Sequence, residues 1–289
     1  MNIDAADMPV LNFQDEVFTV RITVDETPTE MRAVFDTAMA QTVIETADCT
    51  NCGSATGLAI TSPAPAGTTI TTNAVSGTIN NPSSTYSGFE GTTTFCISQT
   101  GTFANPPTGA NIVSDNMTCI QNANVHFADT VASPNTDVTA YVGVALGNGP
   151  DFNGNTPAAS DSVFKELVCS GVFGLRLSTW DGDDTVEATT NSFIDIGAAS
   201  TTNLRAVSTE TITFNNNEFY WKAPLNGIWL GINEKTKFGL ESSSVIIETG
   251  KQCTYIPEEY YEEILTRMLE WSTGYFFSDD GETVVDCGD

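Results

Sequence analysis

The amino-acid sequence predicts an all-β protein, and three observations support this fold class. Threonine, serine and asparagine are abundant along all 289 residues, and they favour strands and turns over helices. Residues 17–24 alternate apolar and polar side chains, which is typical of a strand with one buried face. Patterns typical of helices occur in only two places. Apolar residues make up 40% of the chain and charged residues only 16%, so the chain can bury a core.

Strands are predicted along most of the chain. Residues from Met31 to Phe35 form a short strand that ends at Asp36, and Val43 begins an apolar run that the polar loop 49–53 stops. Residues 56–94 are rich in threonine, serine, glycine and proline, which favours hairpins and exposed loops. The other predicted strands lie at residues 10–13, 17–24, 140–147, 193–197, 219–225 and 228–232.

The two predicted helices are residues 160–168 and 257–269. The first has Ser160 as a capping residue and Gly171 as a stop. The second begins with proline and has acidic residues in its first turn, which suits the helix dipole. Its predicted apolar face contains Tyr261, Ile264, Leu265 and Met268, and its predicted exposed face contains Glu258, Glu259, Glu262 and Glu263.

The chain is strongly acidic, because 10 lysines and arginines against 37 aspartates and glutamates leave a formal charge of −27. This charge excludes a nucleic-acid-binding protein, which needs clustered cations, and argues against binding to anionic membranes. No stretch approaches the roughly eighteen apolar residues of a membrane span. The first residues lack the basic and apolar regions of a signal peptide, so the chain is either cytosolic or begins at a processed start.

The seven cysteines indicate in which cellular compartment the protein folds. A zinc site would need a second close cysteine pair or matching histidines, and His126 is the only histidine. Disulfides in an oxidising compartment are the better interpretation, and the glycosylation sequon that begins at Asn116 supports it. We therefore expect an extracellular or lumenal protein. Cys96 and Cys119 flank one long loop, and we expect them to form a disulfide.

A short pattern occurs twice. Residues 33–38 and 245–250 are each an apolar strand that ends in an acid, a threonine and a small residue. Asp36 alone would be an ordinary turn residue after a strand, but the second copy with Glu248 suggests two related lobes that each present a carboxylate. Two carboxylates brought together in this way can share one proton and activate a water molecule.

With this duplication, the sequence resembles the pepsin-like aspartic proteases. The two Asp-Thr-Gly signatures of that family are matched by Asp36-Thr37-Ala38 and Glu248-Thr249-Gly250. The resemblance covers most of the chain. Its other landmarks are an N-terminal strand at 12–24, a cysteine pair at 49 and 52, a flap at 85–88, a strand at 141–147, a helix and strand at 164–177, and strands around 220–228.

The resemblance implies a bilobal all-β fold, with a first lobe at residues 1–200 and a second, incomplete lobe at residues 201–289. It also implies that Asp36 and Glu248 face each other as the catalytic pair. In the family, hydroxyls at the positions of Thr37 and Thr249 support the two signature loops.

The family pattern assigns two further features. Tyr86 corresponds to the flap tyrosine, whereas without the family it would be a surface aromatic. Cys49 and Cys52 correspond to a small disulfide loop after the first signature.

Four residues depart from the family pattern. Glu248 replaces an aspartate and moves its carboxylate by about an ångström or more, a misplacement that can cost about 10²-fold in rate. Ala38 replaces a glycine and crowds a tightly packed backbone. Met39 replaces a hydroxyl that bonds the carboxylate. Lys251 replaces the second such hydroxyl and favours two ionised carboxylates, whereas the mechanism needs one protonated.

These departures lead us to expect an impaired protease that serves as a binding or structural subunit, with a polypeptide in the cleft between the lobes. The alternatives are an active endopeptidase with an Asp–Glu pair, and an extracellular structural or surface protein on an inherited fold. We expect no cofactor and no metal. Residues 181–184 favour a solvated turn over a calcium loop. We expect His126 to be an ordinary strand or loop residue and not a catalytic base.

The family continues beyond the position equivalent to Asp289. The chain is therefore expected to be a fragment or to be completed by a second chain, and Cys287 to have no partner in this chain. The pairing of Cys169 and Cys253 stays open.

Overall fold

The structure, a computed structural model, describes part of the chain. The described residues are 6–9, 11–13, 17–24, 31–52, 67–79, 84–98, 117–132, 138–151, 154, 156, 163, 173–176, 193–196, 217–225, 227–230, 236–238, 243–250, 255–269, 274–277 and 283–286. The predicted helix at 160–168 (apart from Val163), the turn at 181–184, and the residues Asn116, Cys169, Lys251, Cys253 and Cys287 lie outside this set.

The described part of the chain consists mainly of strands. In the first half these are β1 (Ala6–Pro9), β2 (Leu11–Phe13), β3 (Val17–Val24), β4 (Met31–Asp36), β5 (Val43–Thr50), β6 (Thr69–Ile79), β7 (Ser84–Ser98), β8 (Met117–Val131) and β9 (Ala140–Gly143). The later elements are β10 (Phe173–Arg176), β11 (Phe193–Ile196), β12 (Lys222–Leu225), β13 (Ile228–Leu230), β14 (Thr236–Phe238), β15 (Ser243–Ile246), the helix α1 (Glu258–Leu269), β16 (Gly274–Phe277) and β17 (Thr283–Asp286).

An eight-stranded mixed sheet is the main element of the fold, with the strand order β2-β3-β4-β9-β5-β8-β7-β6. Strand β4, which ends at Asp36, lies inside this sheet between antiparallel β3 and parallel β9. The register pairs Asp36 with Gly143, and the amide of Val144 donates to the carbonyl of Asp36 at 2.9 Å. The end of β4 is therefore held by β9 and the residue after it, whereas the pairing with β3 reaches only Val34.

The sheet buries side chains on both faces, as expected for interior strands with nearly continuous apolar runs. Along β4, the side chains of Met31, Ala33 and Phe35 join one core cluster, and that of Val34 joins the other. The second cluster also contains Met39, Val43, Tyr86 and Tyr141, so the core on this face extends to residues around the first signature.

The chain divides into two compact units. The first consists of residues 1–222 and 246–252, and the second of residues 223–245 and 253–289. Both signatures, at 36–38 and 248–250, belong to the first unit. The predicted lobe boundary near residue 200 stays a prediction.

Several elements differ from the sequence-based expectation. Strand β5 continues to Thr50 instead of stopping at Cys49, because it pairs again with β8 after an irregularity that follows Glu45. The predicted strand at 140–147 ends at Gly143, and the one at 219–225 begins only at Lys222.

In α1, Ile264 is buried as predicted, but Tyr261 is 45% exposed. Tyrosine tolerates this position because its hydroxyl end can stay in water. No helix among the described residues is long and apolar enough to span a membrane.

Two disulfides join cysteines of the described residues. Cys49 and Cys52 are joined across a turn in which Asn51 has a positive φ of 61°, a conformation that asparagine tolerates better than most residues. Cys96 on β7 and Cys119 on β8 are joined at a directly paired position of the two strands.

Candidate active site

The first signature is the turn that follows β4. Asp36 ends the strand, and Thr37 and Ala38 form the turn. The side chain of Asp36 is 1% exposed, and its Oδ1 accepts a hydrogen bond from the amide of Ala38 at 2.7 Å. A short bond from a backbone amide orients the carboxyl group, since the donor cannot change its position without moving the chain.

The second signature also forms a turn after a strand, although this strand stops two residues before the acid. Strand β15 ends at Ile246, and Thr249 and Gly250 form the turn after Glu248. The side chain of Thr249 is 4% exposed, whereas that of Glu248 is partly exposed. The two acids therefore sit in matching turns with different burial.

The two turns are joined by a reciprocal set of hydrogen bonds. The hydroxyl of Thr37 donates to the carbonyl of Ile247 at 2.7 Å and accepts from the amide of Thr249 at 2.9 Å. The hydroxyl of Thr249 donates to the carbonyl of Phe35 at 2.6 Å and accepts from the amide of Thr37 at 3.2 Å. The hydroxyl of each threonine thus bonds the backbone of the opposite loop at two places, the other threonine and the residue two positions before that threonine.

This hydrogen-bond pattern is unchanged when the two loops are exchanged. Because Asp36 and Glu248 each come directly before the bonded threonine, they hold equivalent positions in the two loops. The duplication seen in the sequence is therefore a local two-fold relation in space.

The two loops carry different residues at the third signature position, Ala38 in the first and Gly250 in the second. A methyl group built on Gly250 would lie 2.5 Å from Oδ2, 2.6 Å from Cγ and 2.8 Å from Oδ1 of Asp36. Carbon contacts are most favourable at about 3.5–4.0 Å, so position 250 has no room for a side chain while Asp36 keeps this pose. The first loop carries a methyl group at the equivalent position, on Ala38.

Met39 follows the first signature and is 4% exposed. Its side chain belongs to the core cluster that contains Tyr86 and Tyr141. Its carbonyl accepts a hydrogen bond from the amide of Ala145 at 2.8 Å, which ties the segment to the chain after β9. The thioether offers no hydroxyl to a carboxylate and contributes apolar packing instead.

The hairpin of β6 and β7 contains Tyr86, which pairs with Gly77 across the two strands. A methyl group on Gly77 would lie 2.7 Å from Cε1 and 2.8 Å from the hydroxyl oxygen of Tyr86, so the ring lies directly over this glycine. The Tyr86 hydroxyl is 2.6 Å from Nδ1 of His126, and both side chains are buried. The proposed flap role of Tyr86 stays a prediction.

A cavity of about 750 Å³ lies beside the first signature, within the size range typical of ligand sites. Asp151 is the only charged residue among the described residues of its lining. The lining consists of Ala38, Met39, Gln41, Ser76, Gly77, Thr78, Thr85, Tyr86, Ser87, Thr130, Ala132, Asp151, Phe219 and Tyr220.

The structure brings the predicted residues Asp36, Thr37, Ala38 and Thr249 together, and places Met39 and Tyr86 on the adjoining cavity. Sequence reasoning did not identify the bond between His126 and Tyr86, because no sequence pattern shows which residue of β8 faces which residue of β7. Among the described residues, no group of three or more His, Cys, Asp or Glu side chains could hold a metal ion.

Comparison with solved structures identifies the fold. The crystal structure of the aspartic proteinase from Irpex lacteus matches with a TM-score of 0.63 and 17% sequence identity, over 97% of this chain and 72% of that one. No protein-family model and no curated protein sequence matches the chain. The chain therefore has the pepsin-like aspartic proteinase fold, as the sequence predicts.

Proposed function

We propose that this protein is an aspartic-protease-like protein that binds an extended polypeptide segment but hydrolyses it poorly. The observation that carries the proposal is the reciprocal hydrogen bonding of Thr37 and Thr249, which makes Glu248 the counterpart of Asp36. An aspartic-protease mechanism needs two carboxylates that hold one proton and one water between them. A longer acid at one of two equivalent positions does not keep that geometry.

The cavity supports a binding role. Its lining combines hydroxyl side chains of the β6–β7 hairpin with the aromatic rings of Tyr86, Phe219 and Tyr220. Hydroxyl groups can bond the amides and carbonyls of an extended chain, and aromatic rings can pack against its apolar side chains. The partner is therefore a polypeptide, and the long-range field of a protein with charge −27 favours a cationic one at low ionic strength.

The second candidate function is an endopeptidase that works with an Asp–Glu pair. The intact bonds between the two signature loops and the oriented carboxyl of Asp36 favour it. The disulfides and the fold fit either function in an extracellular or lumenal compartment.

Binding can be measured with fluorescently labelled, reduced and carbamidomethylated lysozyme, a permanently unfolded polypeptide of net positive charge. We expect an increase in its fluorescence anisotropy on titration with the protein. Thr78→Trp, which fills the cavity, should abolish this increase. The control Thr72→Trp, also at an exposed position of β6 but outside the cavity lining, should leave it unchanged.

Gel electrophoresis of the same mixtures at acid pH separates the two candidates. An intact polypeptide after binding supports the proposal. Fragments that appear with the wild-type protein and disappear with Asp36→Asn establish the endopeptidase. No binding, or equal loss of binding in both tryptophan variants, contradicts the cavity as the binding site.

A further inference from the structure

We infer that the methyl group of Ala38 decides which acid position 248 can accept, so that Ala38 and Glu248 form a coupled pair. The inference deepens the proposed function, on which its catalytic consequence rests. Ala38 is a positioning residue, because it acts through the carboxylate of residue 248 and not on a substrate.

Gly250 lies directly against the carboxyl group of Asp36. Its α-carbon lies so close to the carboxyl group of Asp36 that an added methyl would overlap all three carboxyl atoms, at 2.5–2.8 Å. Neither Gly250 nor Ala38 has a positive φ. The absence of a side chain at position 250 is therefore a matter of space and not of backbone conformation.

The two-fold relation of the loops extends this steric limit to the other acid. Since Thr37 and Thr249 bond each other reciprocally, Ala38 stands toward residue 248 as Gly250 stands toward Asp36. An aspartate at position 248 in the pose of Asp36 would meet the Ala38 methyl at the same short distances. An aspartate at position 248 in that pose therefore overlaps an alanine at position 38, so the two residues cannot be present together.

Glutamate at position 248 can avoid this overlap. Its additional methylene adds one rotatable bond, which lets the carboxylate pass the methyl group. The burial of the two acids agrees with this, because Asp36 is 1% exposed whereas Glu248 is partly exposed. A repair of the catalytic pair therefore needs Ala38→Gly together with Glu248→Asp.

Four proteins test the coupling: wild type, Glu248→Asp, Ala38→Gly and the double variant, each measured by urea unfolding. We expect Glu248→Asp to raise the unfolding equilibrium constant about tenfold when Ala38 is present, as overpacking typically does. In the Ala38→Gly background the same change should alter it about twofold or less. An equal effect in both backgrounds overturns the inference, whatever the protein's activity.

The opposite loop provides a second test that does not depend on residue 248. Gly250→Ala should destabilise the protein with Asp36 present and have little effect in an Asp36→Ala background. If Gly250→Ala costs the same in both backgrounds, the steric argument is wrong. Peptidase activity of the same variants reports separately on the proposed function. Cleavage by wild type as fast as by the double variant contradicts that function, and the stability coupling is then judged by urea unfolding alone.

Discussion

The hydroxyl of Thr249 joins the two signature loops, and its removal should weaken the first unit more than an ordinary threonine change. Thr249→Val keeps the shape of the side chain but removes the donor to the carbonyl of Phe35 and the acceptor for the amide of Thr37. An unsatisfied buried polar group costs about 1–3 kcal/mol. We therefore expect a loss of at least about 2 kcal/mol, a large part of the 5–15 kcal/mol typical of a folded protein.

Urea unfolding followed by circular dichroism measures this loss. Thr249→Ser is the matched rescue, because it keeps the hydroxyl and loses only a methyl group. Thr72→Val, at an exposed position of β6, is the surface control. If Thr249→Val and Thr72→Val reduce the free energy of unfolding equally, the two loops are not held together by the reciprocal bonds described above.

Three further predictions concern the rest of the first unit. Tyr86→Phe should lower the free energy of unfolding by about 1 kcal/mol, because it removes the buried hydrogen bond to His126. A double-mutant cycle with His126→Ala should show coupling between the two residues, and additive effects would contradict this hydrogen bond. Gly88→Ala should lower the free energy of unfolding by more than about 3 kcal/mol, because its new methyl group would overlap a backbone carbonyl of β8. The loss should be seen as a lower melting temperature, and an unchanged melting temperature would contradict this packing. Replacing Cys96 and Cys119 by serine should lower the free energy of unfolding in urea by about 3 kcal/mol, since the disulfide closes a loop between residues 23 apart. Free thiols at both positions in the native protein, found by alkylation and mass spectrometry, would contradict the disulfide.

The fold could be predicted from the sequence where local patterns and the family resemblance agree. The alternation of residues 17–24 predicts β3, and the strand before Asp36 predicts β4, because a strand with a buried face has a period of two. Both disulfides could also be predicted. The spacing around one long loop indicates the pair Cys96 and Cys119, and the family resemblance indicates Cys49 and Cys52.

The rest depends on contacts between distant residues, which no local pattern contains. The bond between Tyr86 and His126 follows from the register of β7 and β8, and a sequence does not state a register. The steric role of Gly250 depends on its distance from Asp36, more than two hundred residues earlier in the chain. From the sequence, Ala38 and Glu248 are two separate departures, and only the reciprocal bonds of the loops relate them.

The central claim, that the catalytic pair is impaired, is tested most directly by peptidase activity on a denatured protein at about pH 3–5, where a carboxylate pair can keep one proton. The wild-type protein is compared with a variant that carries Ala38→Gly, Met39→Ser, Glu248→Asp and Lys251→Thr, each with and without pepstatin and after Asp36→Asn. We expect little or no cleavage by wild type. We expect the fourfold variant to cleave, and its cleavage to be blocked by pepstatin and lost with Asp36→Asn. Cleavage by wild type at the rate of the fourfold variant, blocked by pepstatin and by Asp36→Asn, would contradict the account and establish an active Asp–Glu endopeptidase.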